Sequence, residues 1–124
     1  MGYENFTVLI VDDEPDICFL LAGMLRQKKL IPVIANTLNE GMNKLRQERP
    51  VLLFMDIHLP DGSGLDAIRG VKKEFPLMKI IIMSAFDGMI EKNKAYEAGA
   101  DVFISKPLNH ELIVNSVMKV MDLH

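Results

Sequence analysis

Phe6–Pro15 reads FTVLIVDDEP, and the break between its two halves sets the architecture. The first half is an apolar run rich in β-branched residues, with no polar alternation. That is the pattern of a strand buried on both faces. The second half reverses the chemistry. Asp12-Asp13 ends the strand, and Pro15 suits the first turn of a helix, where its missing N–H costs nothing. A strand that runs straight into a helix is the opening of a βα unit.

The same unit recurs outward along the chain, five times in all. The first helix is expected to run to about Lys29, with Ile17, Leu20, Leu21, Met24 and Leu25 on its inner stripe. Ile31–Ala35 reads as a second strand. Thr37 caps a helix through Arg46 that buries Leu38, Met42 and Leu45 and is broken by Pro50. Val51–Met55 (VLLFM) is the third strand, and Leu59–Gly64 (LPDGSG) is a loop of turn residues. The next helix carries Leu65, Ile68, Val71 and Phe75, and Pro76 closes it. Lys79–Met83 is the fourth strand, and Met89–Ala98 is a polar helix with Gly99 just past its end. Val102–Ile104 is the fifth strand, and Asn109 caps a last helix bearing Leu112, Ile113, Val117, Val120 and Met121. Unalternated strands separated by helices imply a parallel sheet covered on both faces, an α/β doubly wound fold.

Bulk properties agree with one domain spanning residues 1–124, its structured core running over about 6–122. The chain has 124 residues, 49% hydrophobic and 25% charged, with 14 basic and 17 acidic side chains for a formal charge of −3. No basic run advertises direct nucleic-acid binding. No apolar segment approaches the roughly 20 residues that membrane insertion requires. The start, MGYENFTVLIVDDE, lacks a basic segment ahead of a long apolar core, so no secretory signal is expected. A single cysteine, Cys18, excludes an internal disulfide and fits a reducing, cytoplasmic setting. Cys18 and the methionines read as core, and His110 and His124 as surface.

In an open α/β sheet, ligands bind beyond the carboxyl ends of the strands. Asp12, Asp13 and Glu14 follow the first strand, Asp56 the third, Ser84 the fourth and Lys106 the fifth. Carboxylates about 4 Å apart repel by roughly 4 kcal/mol at an effective dielectric near 20. Lys106 offsets part of that, and a hard divalent cation suited to oxygen ligands, Mg²⁺ or Mn²⁺, offsets the rest. Such an ion would draw in a phosphoryl donor and make Asp56 a plausible nucleophile.

Each feature has a plainer explanation when taken singly. Asp12-Asp13 suits a helix N-terminus, Asp56 suits a turn, and Lys106-Pro107 suits an exposed strand end. None of these explains why all of them fall on one sheet edge.

With those residues in view, the sequence resembles the receiver domain of two-component response regulators over essentially its whole length. VDDE at 11–14 is similar to the acidic metal-binding pair, and Asp56 to the phosphoacceptor. Pro60 and Gly64 match the following loop, and Ser84-Ala85 the Ser/Thr-Ala pair that engages phosphoryl oxygens. Phe103 matches the switch aromatic, and Lys106-Pro107 the lysine followed by a cis peptide bond. The resemblance implies a flavodoxin-like (βα)5 sheet with strand order 2-1-3-4-5. It implies that Asp13, Asp56 and the backbone carbonyl of His58 hold Mg²⁺, with Asp12 acting through water. It implies transfer to Asp56 from a sensor histidine kinase or histidine phosphotransfer protein. Lys106 and Ser84 would then engage the phosphoryl group and Phe103 would repack the surface of the fourth helix, fifth strand and fifth helix. The domain would assist its own phosphorylation and dephosphorylation without being an enzyme acting on other molecules. The output partner or effector domain is left unspecified, and homodimerisation is left open.

Phe103 lacks the hydroxyl of the tyrosine common at that place, and Ser63 stands where an acidic or amide residue is frequent. His58 and Phe86 are expected to flank the acyl phosphate and tune its lifetime. The main alternative is an aspartyl-phosphate-forming phosphatase of haloacid-dehalogenase type. That chemistry wants a second aspartate two residues beyond the nucleophile, where His58 stands. A flavin module would want a Ser/Thr/Gly phosphate loop in place of Asp12-Asp13-Glu14. A receiver serving only as a scaffold would lack some of the five key side-chain types present here.

Overall fold

Every residue of β3 (Leu52–Asp56) is buried, as an apolar run with no polar alternation requires. β3 lies at the centre of a five-stranded parallel sheet in the computed structural model, which describes residues 5–86 and 88–121. Asp122 and His124, the first at the end of the expected core and the second read as surface, lie outside the described residues. Around β3 the chain runs β1 (Thr7–Val11), α1 (Pro15–Gln27), β2 (Ile31–Ala35) and α2 (Leu38–Glu48) before it. After it come β4 (His58–Leu59), β5 (Gly62–Ser63), α3 (Gly64–Glu74), β6 (Lys79–Ser84), α4 (Met89–Ala98), β7 (Val102–Ser105) and α5 (His110–Val120).

The sheet order is β2-β1-β3-β6-β7. Without the two-residue ladder of β4 and β5, that is the expected order 2-1-3-4-5. The chain winds outward from β1 to β2, then returns to place β3 on the other side of β1. The carboxyl ends of β1 and β3 therefore flank the switch point where such sheets bind ligands. Register brings the tips level, because Val11 pairs with Met55 and the next residues are Asp12 and Asp56.

Alternate side chains of each strand feed two cores. Val8, Ile10, Phe54, Ile81 and Met83 pack with Cys18, Leu21 and Leu25 of α1 and Ile113 and Val117 of α5. Leu9, Val11, Leu53, Met55 and Ile82 pack with Leu45 of α2, Ile68 and Val71 of α3, and Ala95 and Ala98 of α4. Each large side chain fully buried in this way contributes roughly 1.5–3 kcal/mol.

Local chemistry explains the helix ends. Thr37 Oγ1 accepts the Glu40 amide at 3.1 Å and Asn109 Oδ1 the Leu112 amide at 3.0 Å, so both expected caps form. α4 ends at Gly99, whose φ of +117° few other residues tolerate. Helix α2 runs past the expected Arg46 to Glu48. It stops because Arg49 turns left-handed (φ 46°) ahead of Pro50, whose ring disfavours helical geometry in the residue before it.

Three expectations need correction. The 59–64 segment is not wholly loop, since His58–Leu59 and Gly62–Ser63 pair as a short antiparallel ladder. Leu20 is 39% exposed because Cys18, Leu21, Ala22 and Leu25 define the inner stripe of α1. Leu112 is 46% exposed because Ile113, Ser116, Val117 and Val120 define that of α5. Among the described residues, no helix is long and apolar enough to cross a membrane.

Candidate functional site

Asp12 is pinned by its backbone before its carboxylate does anything. Its amide donates to the Ala35 carbonyl at 3.0 Å. Its own carbonyl accepts from Asn36 Nδ2 at 3.0 Å and from Cys18 Sγ at 3.3 Å. On the neighbouring strand, Asp56 closes β3, and its Oδ1 accepts the His58 amide at 3.3 Å. Lys106 is fixed by its amide, which donates to the Ser84 carbonyl at 2.7 Å, and the Lys106–Pro107 peptide is cis. The side chain then reaches across the strand tips. Its ammonium lies 2.7 Å from Glu14 Oε1, 2.9 Å from Asp12 Oδ2 and 3.3 Å from Asp56 Oδ2.

The convergence expected from strand order is therefore met, and Glu14 joins it. Ligand oxygens of Asp12, Asp13, Glu14 and Asp56 all lie within 4.8 Å of one another. Burial raises the pKa of Asp12 above its ordinary value, against the hydrogen bond from the Glu14 amide and the nearby Lys106 charge. Burial also raises that of Asp56, reinforced by the charge on Asp12. Burial alone would lower the pKa of Lys106, but its hydrogen bond to Glu14, its ion pair with Asp12 and the charge on Asp56 leave it raised.

One ammonium does not satisfy this cluster. Asp12 Oδ2 is buried and receives no directed hydrogen bond from the described residues, although Lys106 stands close enough for an ion pair. A buried, unpaired carboxylate oxygen beside three other acidic groups is a donor set that fits a hard divalent cation.

The other expected residues surround this point in graded fashion. Ser84 is buried, and its Oγ accepts the Phe86 amide at 3.0 Å, while Ala85 is exposed. The rings of His58 and Phe86 meet edge to face with centroids 4.9 Å apart, tying the loop after β3 to the loop after β6. Phe103 is half-buried among the apolar residues on the α2–α3–α4 side, with Lys92 Nζ 6.0 Å above its ring. Gly64 is needed for space, because a Cβ there would lie 2.1 Å from the Asp56 carbonyl oxygen.

Sequence reasoning missed two contacts. Asp61 caps α2 from a distance, accepting the Leu38 amide at 2.7 Å and the Asn39 amide at 2.9 Å, which lowers its pKa. Glu14 holds Lys106. The only signal for the first was an aspartate in a turn, and its partners lie more than twenty residues away.

A doubly wound parallel sheet whose switch point carries an acidic pocket closed by a lysine defines a class of α/β signalling domain. Residues 8–118 match the response regulator receiver domain family, and the chain belongs to that family. The probable transcriptional regulatory protein TcrX of Mycobacterium tuberculosis is 31% identical over 111 residues, which cover 90% of this chain and 47% of that protein. The response regulator protein PilR of Pseudomonas aeruginosa is 37% identical over 101 residues, 82% of this chain and 23% of that protein. The chain thus spans less than half the length of these relatives. A receiver domain protein from Methanospirillum hungatei superposes with TM-score 0.90 at 29% identity, covering 96% of this chain and 95% of that one. The BeF3-activated receiver domain of DrrB, a Thermotoga maritima protein, gives 0.88 at 25% identity over 95% and 98%. These matches are to two-component receivers, and the phosphatase alternative gains no support from them.

Proposed function

We propose that Asp56 is the phosphoacceptor of this receiver and that residues 1–124 act as one such domain. The observation that carries the reading is the placement of Asp56, a buried carboxylate 3.3 Å from an ammonium within a cluster of acidic oxygens. An Asp56 oxygen attacks the phosphorus of a phosphohistidine on a kinase or phosphotransfer protein. The P–N bond breaks, its electron pair stays on the imidazole nitrogen, and an acyl phosphate forms. Asp13 and Asp56, with the His58 carbonyl and Asp12 through water, would hold Mg²⁺. When bound, Mg²⁺, or Mn²⁺ in its place, would neutralise charge on the transferring group.

Lys106 neutralises one phosphoryl oxygen. Ser84 Oγ gives up the Phe86 amide to donate to another, with Ala85 turning alongside it. Phe103 then takes the space beside Ser84, which repacks the surface of α4, β7 and α5 for an output partner. His58 and Phe86 shield the acyl phosphate from water and set its lifetime. The reaction is self-assisted phosphorylation and dephosphorylation, carried out in the cytoplasm, where a free Cys18 thiol persists.

Radiolabelled acetyl phosphate with Mg²⁺ is expected to label the protein and to leave the Asp56→Asn variant unlabelled. Equal labelling of the two would overturn the assignment. Phe86→Ala is expected to shorten the half-life of the label, and an unchanged or longer one would remove the shielding role.

A further inference from the structure

The Lys106 ammonium faces three carboxylates with three N–H protons, two of them directed at Glu14 and Asp56, while its charge is also shared with Asp12 as an ion pair. The proposed reaction requires this ammonium for a phosphoryl oxygen. One of the three contacts must therefore give way, and they differ sharply in what release would leave behind.

Asp12 has a fully buried side chain, and its Oδ2 has no hydrogen-bond partner among the described residues, so losing the Lys106 ion pair would strand a buried charge. Asp56 is the group being phosphorylated and keeps its neighbourhood with Lys106. Glu14 makes the shortest of the three contacts, 2.7 Å, yet its side chain is 57% exposed. Water replaces the ammonium there at little cost. Nor does any helix-capping duty hold it, since Glu14 is the N-cap of α1 with no side-chain cap bond.

We infer that Glu14 is a positioning residue that occupies Lys106 in the resting domain and releases it when Asp56 is phosphorylated. Glu14 thus competes with the phosphoryl group for one ammonium proton and sets a threshold for switching. This inference rests on the reading of Asp56 as phosphoacceptor. In it, Glu14 tunes the site through Lys106 and touches neither the phosphorus nor the attacking oxygen.

The test is a titration of wild type, Glu14→Gln and Asp56→Asn with beryllofluoride in excess Mg²⁺, followed by calorimetry. Glu14→Gln keeps the side-chain shape and removes the charge. It is expected to bind the mimic about two- to five-fold more tightly than wild type, the range one exposed ion pair contributes. Equal or weaker binding by Glu14→Gln, with wild type binding and Asp56→Asn not, overturns the role of Glu14 and leaves Asp56 intact. Absence of binding by wild type, or binding by Asp56→Asn, overturns both. A second readout needs no ligand. In chelator, the ¹⁵N-lysine spectrum should show the Lys106 ammonium protons exchanging faster with water in Glu14→Gln than in wild type. Unchanged exchange would mean that Glu14 does not hold the ammonium, and the inference would fall.

Discussion

Gly64 opens α3 directly behind the Asp56 loop, and a methyl group placed there meets backbone. The added Cβ would lie 2.1 Å from the Asp56 carbonyl oxygen, 2.6 Å from Met55 Cγ and 3.0 Å from Met55 Sδ. Carbon and oxygen settle no closer than about 3.3 Å, so relief needs a shift of about 1 Å in the first turn of α3 or in the Asp56 peptide. Overpacking a buried site costs roughly 1–3 kcal/mol, and an obstacle of backbone rather than a pliant side chain places Gly64→Ala near about 3 kcal/mol. For a domain of this size that lowers the thermal midpoint by roughly 10 °C. The same shift moves the Asp56 carboxylate relative to Lys106, so labelling by acetyl phosphate should fall even where the variant is still folded. Gly23 is the control, because no described residue lies within 4 Å of a Cβ there and it sits inside α1. Gly23→Ala should stabilise by about 0.5–1 kcal/mol and leave labelling unchanged. Urea midpoints and labelling measured together decide the matter. Wild-type stability and labelling in Gly64→Ala would refute the steric argument.

Removing the cation should expose the strain in the acidic cluster. Asp12 and Asp56 have raised folded pKa values, so their contribution to stability is fullest below the ordinary 3.8 and is lost as pH rises through those values. Saturating Mg²⁺ should therefore raise the thermal midpoint more at pH 7 than near pH 4, and equal increments in calorimetric scans would count against the site. Asp61 has the opposite sign. Its pKa is lowered by the Asn39 and Leu38 amides, so its contribution is present above 3.8 and lost as pH falls through the depressed value. Asp61→Asn should weaken the fold at pH 7 and match wild type at strongly acid pH, and a pH-independent difference in denaturation midpoints would refute this. Burial pushes the Cys18 thiol up to about 11, so iodoacetamide at pH 8 should label it only on unfolding, as mass spectrometry would show. Rapid labelling of the native protein would contradict its packing beneath Asp12.

The fold was legible because every strand is an unalternated apolar run, and four of the five, β1, β3, β6 and β7, also carry a charged or hydroxyl residue at their ends. Asp56 and Ser84 were expected just beyond their strands and form the last residues of β3 and β6, a one-residue difference that leaves their placement intact. The site was legible for the same reason, since strand order alone brings the tips of β1, β3, β6 and β7 together. What the pattern could not carry is contact at a distance. Asp61 reaches the start of α2, and Glu14 reaches Lys106 across ninety-two positions, because the tertiary fold brings their loops together. Leu20 and Leu112 show a different limit. A leucine at the margin of a helical stripe satisfies the periodicity whether or not a neighbour covers it.

The electrostatics of the strand tips bear on how the proposed phosphorylation of Asp56 would act on the surface around it. Carboxylates with oxygens within 4.8 Å repel by about 3 kcal/mol per pair at an effective dielectric of about 20. A domain whose net stability is about 5–15 kcal/mol holds such a cluster only because the buried sheet fixes the strands that carry it. One ammonium, shared three ways, leaves Asp12 Oδ2 without a directed bond from the described residues, so the resting site is short of positive charge. In the proposed reaction the phosphoryl group adds negative charge at Asp56 and sharpens that shortage. The two residues proposed to answer it, Lys106 and Ser84, stand at two further strand ends, β7 and β6. Of the groups next to them, Phe103 is only half-buried and Ala85, Phe86 and Gly88 are exposed, whereas the core strands are buried, so the proposed switch would meet least resistance towards α4 and β7.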